Sequence, residues 1–267
     1  MNNKYLNITD GGFNHIKSYY HEFSKPYIEY NKEDNKIYYE QPLDTNYDYA
    51  EIGGIKWATK CIGASSPYSY DAWFFQWGEI QGHIETHSSS VDYNYNWANC
   101  PFNDNNDEYS AEAWANYSGS VLDENGCLIS EYDAATQLMG KDWRLPTKDE
   151  LTVLVDHKLT LSNTIVRGVD GTEITIGSTA GVGNVNGVEG MCFGKTTEAT
   201  DNILFIPFMG MGFPNKHNEG PGLRVCVWAN DGKNGSITSY LSCYAWGEIN
   251  IGKASRYYGG QILSVKI

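Results

Sequence analysis

The clearest pattern of apolar and polar positions lies in residues 140–151. Trp143 and Leu145 are two positions apart, so in an extended segment both side chains point to one face and can enter a core. The proline that follows has no N–H to donate and ends a sheet ladder. Thr147, with Glu150 three residues later, has the spacing of a capping box. The pattern predicts a strand end, a stop and a capped helix that runs to about residue 157.

Similar patterns predict the other elements of the chain. Apolar residues return at helical spacing in residues 130–139, and Gly140 provides the stop of a second short helix. Two adjacent glycines predict a hairpin turn between strands at 49–52 and 55–59. Further strands are predicted at residues 73–79, 203–210 with its end at Pro207, 224–229, 239–247 and 261–267, together with a glycine-rich β region at 159–194.

Residues 1–48 differ from the rest because aromatic and charged residues interleave there without a sustained period. Asn35 is predicted as a turn between short extended segments at 26–29 and 36–40. A segment of this size is too small to form its own core. We expect residues 1–48 to be an N-terminal arm for anchoring or oligomerisation, and residues 49–267 to form the main domain.

The composition favours a loop-rich binding protein. The chain has 267 residues, a formal net charge of −14, 20 Tyr, 8 Trp and 28 Gly. Tyr and Trp offer rigid amphipathic contact area, and Gly permits irregular turns. The negative charge argues against nucleic acid or an anionic membrane as the main partner.

Neither a membrane span nor a secretory signal is expected. Residues 1–25 carry charges throughout and contain no apolar core of a signal peptide, and no stretch approaches the roughly 18 apolar residues of a span. The six cysteines are far apart and include no C-x-x-C pair, which disfavours a zinc ribbon or a thioredoxin-like motif. We expect reduced thiols, most of them buried as small hydrophobic residues.

Residues 82–126 are polar and aromatic, and we interpret them as a long insertion over a binding face. Their aromatic rings can stack on sugar rings or anchor a protein interface. The other interpretation, that several of these rings cover the core beneath the insertion, stays open. The candidate ligand-binding residues are Tyr93, Tyr95, Trp97, Trp114 and Tyr117.

Two histidines and a repeated tripeptide are weaker candidates for a functional site. His83 and His87 have the i, i+4 spacing of helical metal ligands, but the surrounding glycine and serines favour a loop. The sequence Trp-Gly-Glu occurs at residues 77–79 and again at 246–248. We interpret both copies as structural, with each Gly allowing close backbone approach and each Trp packing in the core.

Several motifs, taken in order, resemble the Fibrobacter succinogenes major paralogous domain family, whose fold is related to C-type lectins and formylglycine-generating enzymes. The resemblance covers residues 49–267, with departures at Lys266, where the family usually has Arg, and at Trp228–Ala229. The matching runs are GIKWAT at 54–59, IGASSP at 62–67, FQWGE at 75–79, YDAA at 132–135, WRLPT at 143–147, LFIP at 204–207 and SVKI at 264–267.

The resemblance implies an α+β fold, a C-type-lectin-like domain with small twisted antiparallel sheets, two short helices and long loops, preceded by the N-terminal arm. The residues that carry the structural motif are Trp57, Trp77, Trp143, Arg144, Pro146 and Pro207.

The lectin relationship also raises the question of calcium. Asp104, Asp107 and Glu108 cluster among asparagines, and hard cations prefer such oxygen ligands. Their spacing does not follow an EF-hand, and the sugar-coordinating Glu-Pro-Asn triplet of C-type lectins is absent. A solvated loop is the favoured interpretation, with a calcium site as the alternative and no other cofactor expected.

Members of the family in Bacteroidetes-type bacteria are usually exported, whereas a phage structural protein needs no export signal. We therefore expect a non-enzymatic virion surface protein, a head-fibre, capsid-decoration or tail-fibre subunit, made in the host cytoplasm. Its expected partners are other virion proteins, further copies of the chain, and a host or mucosal glycan or protein. The alternatives are a bacterial surface carbohydrate-binding module or adhesin, and an oxidoreductase of the formylglycine-generating type, which would use Cys226 and Cys243.

Overall fold

The computed structural model describes residues 4–6, 27–31, 36–40, 47–85, 88–194 and 201–267. The chain divides into two compact units, residues 1–44 and residues 45–267. The boundary falls just before the predicted start of the main domain at residue 49.

The described residues of the first unit form a three-stranded antiparallel sheet. Its strands are β1 (Lys4–Leu6), β2 (Tyr27–Asn31) and β3 (Lys36–Glu40), in the order β1-β3-β2. The extended segments predicted at 26–29 and 36–40 are therefore confirmed as paired strands. The turn predicted at Asn35 lies outside the described residues.

A four-stranded sheet in the second unit joins distant parts of the chain. It has the order β4-β5-β17-β6, with β4 at Tyr49–Ile52, β5 at Ile55–Ala58, β6 at Trp143–Arg144 and β17 at Val265–Lys266. The predicted hairpin between β4 and β5 is confirmed, and both of its glycines have positive φ, as a type I′ turn requires. The last strand of the chain is thus held between the first hairpin and the Trp143 segment.

A second sheet consists of β14 (Arg224–Trp228), β15 (Ile237–Tyr244) and β16 (Ile249–Ser255) in sequential order. β16 was not predicted, because a glycine and a lysine interrupt its apolar alternation. β14, at the other edge of this sheet, is buried along its whole length. Alternate residues of β14 enter two different hydrophobic clusters, so this sheet separates two layers of core.

The glycine-rich region at 159–194 supplies four strands of a five-stranded antiparallel meander, which confirms its predicted β character, and the strand Leu204–Pro207 completes the sheet. A two-stranded ribbon follows it, formed by β12 and β13. The strands are β7 (Thr164–Arg167), β8 (Glu173–Ile176), β9 (Val182–Val185), β10 (Val188–Phe193), β11 (Leu204–Pro207), β12 (Met211–Phe213) and β13 (His217–Glu219).

The described ranges contain three α-helices rather than the two expected. They are α1 (Ala111–Val121), α2 (Ala134–Met139) and α3 (Lys148–Asp156). The interpretation of residues 82–126 as one structureless insertion is wrong at α1. None of the described helices is long and apolar enough to cross a bilayer. The fold is mixed α+β, built mostly from small antiparallel sheets.

The predicted corner at residues 140–151 has the expected structure. Thr147 and Glu150 form a capping box at the start of α3. Arg144 makes a two-pronged ion pair with Glu150, with N–O distances of 2.7 and 2.6 Å. The carbonyl of Pro146 accepts a hydrogen bond from the Asn230 backbone. The corner therefore joins the capped helix to the chain beyond β14.

The other structural-motif residues lie in the interior. Trp57, Trp77 and Trp143 are buried, and Pro207 ends β11. The strand predicted at 73–79 is wrong in extent, because only Phe74 and Phe75 make isolated β-bridges.

Candidate functional site

A surface pocket of about 380 Å³ opens beside α1. We call it the Trp114 pocket. One wall is the indole of Trp114, and most of the remaining wall comes from the loop between β14 and β15 together with one lysine of β16. The lining residues are Trp114, Asp231, Lys233, Asn234, Gly235, Ile237, Thr238 and Lys253.

Asn103 organises the loop that leads into α1. Its side chain is fully buried, and its Nδ2 faces the carbonyl oxygens of residues 97, 106 and 108 at 2.9–3.1 Å. Its Oδ1 accepts a hydrogen bond from the backbone of Ser110 at 2.8 Å. Ser110 in turn caps α1 by accepting from the N–H of Ala113. One buried amide therefore sets where α1 begins, and with it the position of Trp114.

A buried cation lies behind the aromatic wall. Arg256 is 0% exposed, and its guanidinium carbon lies 4.2 Å from the centroid of the Trp114 ring. Trp77 and Trp97 are also within cation–π range, at 5.6 and 5.9 Å. Its Nε donates to the carbonyl of Gly235, a pocket residue. Arg256 thus ties the aromatic wall to the opposite loop.

The buried guanidinium retains a positive charge close to the pocket. Burial lowers the pKa of Arg256 from its ordinary value, but arginine stays protonated at neutral pH. Its Nη2 has no hydrogen-bond partner, and no carboxylate lies within ion-pair distance among the residues that the structure describes. A buried positive charge therefore lies next to the pocket although the chain as a whole has a net charge of −14.

Polar groups line the rim of the Trp114 pocket. Lys233, Asn234 and Lys253 are exposed and supply two ammonium groups and an amide. Asp231 accepts a hydrogen bond from the Ser239 hydroxyl at 2.6 Å, which fixes its carboxylate. The rim is therefore rich in donors, and it can bind a ligand that carries hydroxyl, carbonyl or carboxylate oxygens.

The five predicted ligand-binding residues do not form one face. Trp114 alone among them lines the pocket, and Tyr117 is exposed nearby on α1. Trp97 is half-buried and packs edge-on against Tyr257. Tyr93 is half-buried and stacks on a histidine ring. Both interpretations left open by the sequence therefore apply in part. Some of these rings cover the core, and Trp114 also lines a pocket at the surface.

Tyr95 requires a correction. Its ring is 0% exposed, packs against Phe74 and donates its hydroxyl hydrogen bond to Glu85 at 3.0 Å. Two backbone glycines, Gly212 and Gly259, contact the ring so closely that a Cβ on either would overlap it. Tyr95 is therefore a core residue and does not present a face to a ligand.

The acidic residues proposed for calcium lie on the surface near α1. Asp104, Asp107 and Glu108 are all exposed. The Asp104 carboxylate accepts a 2.7 Å hydrogen bond from the hydroxyl of Tyr117. Within the described ranges, no three His, Cys, Asp or Glu side chains gather as a metal-binding group. His83 pairs with Glu79 at 2.8 Å, and His87 lies outside the described residues.

Cys226 and Cys243 lie on adjacent strands but on opposite faces of the sheet. Cys226 is opposite Ser242, whereas Cys243 is opposite Val225, and directly opposed residues share a face. The two thiols accordingly enter different hydrophobic clusters. Burial raises the pKa of Cys226 to about 11 and that of Cys243 above its ordinary range. This arrangement does not resemble a reactive or metal-binding thiol pair.

The two Trp-Gly-Glu copies differ in placement. Trp77 is 0% exposed, as predicted, but Trp246 is 59% exposed. The expectation that both tryptophans pack in the core is therefore wrong for Trp246, because its copy lies in a hairpin turn at the surface.

The chain was compared with protein-family models, with curated proteins and with solved structures, and nothing matches in any of the three comparisons.

Proposed function

We propose that this chain is a non-enzymatic virion surface protein of a phage, a head-fibre, capsid-decoration or tail-fibre subunit. Its lectin-like main domain binds a host or mucosal glycan or protein. The observation that carries the proposal is the Trp114 pocket, which combines an immobilised aromatic wall with a donor-rich polar rim. Trp114 is 9% exposed, so the C–H groups of a sugar would contact the open part of its indole while the oxygens of the sugar accept hydrogen bonds from the rim.

The rigidity of the wall supports binding further. The Arg256 guanidinium carbon lies 4.2 Å from the centroid of the Trp114 ring, and Trp77 packs against Trp114 in a T-shaped geometry with centroids 6.3 Å apart. A ring held in place before the ligand arrives loses little conformational entropy when it binds. The pocket is also within the roughly 300–1,000 Å³ typical of small-molecule sites.

In this proposal, residues 1–48 join the subunit to other virion proteins or to further copies of the chain. Their sheet has the order β1-β3-β2, so β1 and β2 are its edge strands. Edge strands offer unpaired backbone groups that can pair with a strand of a partner. The formylglycine-generating alternative is disfavoured because Cys226 and Cys243 are buried on opposite faces of one sheet.

The binding role is tested by glycan-array titration of the full chain and of an Asn234→Ala/Lys253→Ala double variant. Both residues are exposed pocket residues, so their removal is not expected to disturb the fold. We expect the double variant to lose about tenfold or more in affinity for the glycans that the wild type binds. A matched control, Asn116→Ala/Lys141→Ala, removes the same side-chain types from exposed positions outside the pocket lining and should bind like the wild type.

Equal binding by wild type and double variant, or no glycan bound by the wild type, would contradict the binding role. The location is tested separately with an antibody against residues 47–267. Labelling of phage particles in a lysate supports the virion assignment. Labelling of the bacterial envelope alone instead supports the alternative of a bacterial surface adhesin.

A further inference from the structure

The charges that line the Trp114 pocket differ in sign from those of the chain as a whole. The chain has 33 Asp and Glu residues against 19 Lys and Arg, whereas the lining has two lysines, Lys233 and Lys253, against one aspartate, Asp231. None of these three side chains makes an ion pair with a residue that the structure describes. The lining therefore carries one positive charge in excess, with no described counterion in contact with it.

The single carboxylate of the lining is held in a fixed position. Its Oδ2 accepts a hydrogen bond from the Ser239 hydroxyl at 2.6 Å, and the Thr238 hydroxyl donates to the Asp231 carbonyl at 2.7 Å. Within the described residues its Oδ1 accepts no hydrogen bond, which leaves this oxygen available to a hydroxyl group of a ligand. Asp231 therefore favours a ligand with hydroxyl groups over a simple anion, which has no hydrogen to donate.

The two lysines reach the pocket from different elements. Lys233 belongs to the loop between β14 and β15, and its aliphatic stem lies across Gly126, where a Cβ would be 2.9 Å from the lysine Cε. Lys253 lies on β16 directly opposite Ser239, the residue that holds the Asp231 carboxylate. Both lysine side chains are exposed. An anionic group in the pocket thus finds two ammonium groups in the same lining and displaces no ion-pair partner among the described residues.

A third cation lies behind the indole. Arg256 contacts two lining residues, since its guanidinium carbon is 4.2 Å from the Trp114 centroid and its Nε donates to the Gly235 carbonyl. It is 0% exposed and has no ion-pair partner among the described residues, so its charge is both desolvated and uncompensated. A negative charge in the adjacent pocket would reduce the cost of this burial, because charges interact more strongly through protein than through water.

We propose that the Trp114 pocket takes an acidic saccharide, a sugar that carries a single carboxylate on its ring, such as a hexuronate or a sialic acid. This inference rests on the binding role proposed above and names the class of ligand. The sugar carboxylate pairs with Lys233 and Lys253. A sugar hydroxyl donates to Asp231, and the C–H groups contact the open part of the Trp114 indole. One negative charge balances the excess positive charge of the lining, so a neutral sugar of the same shape binds more weakly.

The test compares each acidic sugar with its own methyl ester, which has the same rings and no charge. Sialyllactose and trigalacturonate, each as the free acid and as the methyl ester, are titrated into the full chain by isothermal titration calorimetry. We expect at least one free acid to bind about tenfold or more tightly than its ester. That ratio should shrink as the salt concentration rises from about 0.05 M to about 0.5 M, because salt screens the exposed lysines.

A double variant, Lys233→Gln/Lys253→Gln, removes both ammonium groups and keeps most of each aliphatic stem. Its affinity for the preferred acid should fall about tenfold or more, whereas its affinity for the methyl ester should change by less than about threefold. A matched control, Lys141→Gln/Lys148→Gln, removes two exposed lysines outside the lining and should bind like the wild type.

Free acids that bind no more tightly than their esters, or equal losses of acid and ester binding in Lys233→Gln/Lys253→Gln, would overturn the inference. Wild type that binds neither form of either sugar but binds neutral glycans on the array would overturn the acidic class and leave the binding role intact. Wild type that binds no glycan in either experiment would overturn both.

Discussion

Residues 77–79 and 246–248 have the same sequence, Trp-Gly-Glu, in opposite environments. Both glycines have nearly the same positive φ, 84° at Gly78 and 87° at Gly247. Trp77 is nevertheless fully buried, whereas Trp246 is 59% exposed. The identical local sequence therefore gives a turn in both places but does not determine whether the indole is buried or exposed.

The difference arises from distant partners. The indole N–H of Trp77 donates to the carbonyl of Ala229, which is 152 residues away in the sequence. The indole N–H of Trp246 donates to Glu248 in the same turn. Trp77 is also the second residue of its turn, because Glu79 N–H donates to Gln76, whereas Trp246 is the third residue of its own. The indole with a distant acceptor is thus the buried one, and the indole with an acceptor in its own turn is the exposed one.

The largest expected effect comes from removing each indole in turn. Trp77→Ala should lower the free energy of unfolding by about 3–5 kcal/mol, because it leaves a cavity in the core and removes the indole hydrogen bond to the Ala229 carbonyl. Trp246→Ala should lower it by less than about 1 kcal/mol, because it mainly removes stacking on Tyr244 at the surface. Urea denaturation followed by far-UV circular dichroism measures both values.

A Phe variant at position 77 serves as a control. Trp77→Phe keeps most of the volume but loses the indole N–H, so its free energy of unfolding should lie between those of the wild type and the alanine variant. Similar losses of stability for Trp77→Ala and Trp246→Ala would contradict the comparison, because Trp246 would then also be a core residue.

Local patterns predicted those parts of the fold whose determinants lie within a few residues. The capping box of Thr147 and Glu150 and the hairpin before β5 are of this kind. α1 was missed although Ser110 and three alanines in the next five residues gave a usable helix signal. The aromatic and asparagine content around it outweighed that signal. β16 was missed because pairing with β15 defines it, and it has no apolar alternation of its own, since Ala254 is its one buried residue.

The candidate sites were less predictable, because they depend on contacts between distant residues. The sequence indicated Trp114 as a ligand-binding residue but gave no sign of Arg256, which lies more than 140 residues later and packs on the same ring. Tyr95 was misplaced because its partner Glu85 and its contact with Phe74 cannot be read from spacing. The buried amide of Asn103 was equally hidden, since its sequence neighbourhood is typical of a solvated loop.

The interior near Trp77 also contains a carboxyl group that should make its stability depend on pH. Asn230, next to the Ala229 acceptor of Trp77, donates to Asp133 at 3.4 Å. Burial raises the pKa of Asp133 from 3.8 to about 6, although backbone hydrogen bonds from Leu145 and Thr136 partly oppose this. Between these two pKa values the folded protein holds a proton that the unfolded chain releases. The free energy of unfolding should therefore fall as pH rises from about 4 to 6, by roughly 1.4 kcal/mol per pH unit.

Asp133→Asn isolates this effect, because the other carboxyl groups titrate alike in both proteins. Unfolding by urea at several pH values between about 4 and 7 gives the difference between wild type and variant. That difference should change with pH up to about 6 and be constant above it. A difference that is flat across the whole range would show that the pKa of Asp133 is not raised in the folded protein.

The smallest expected difference is in the stabilities of alanine variants at the two glycines. Gly78→Ala and Gly247→Ala both place a Cβ at positive φ, which costs about 1–2 kcal/mol in either turn. At Gly78 the new Cβ would lie 2.6 Å from Cε2 of Phe102, and at Gly247 it would lie 2.9 Å from Cγ2 of Thr179. Phe102 packs against Trp114 and Tyr132 and has little room to move. Thr179 is half-buried in a surface loop and can rotate away.

Gly78→Ala should therefore be less stable than Gly247→Ala by about 1 kcal/mol beyond the shared backbone cost. Thermal and urea denaturation of the two variants side by side measure this difference, and the backbone term cancels between them. Equal stabilities would mean that the environments of the two turns differ less than the exposure of their tryptophans indicates.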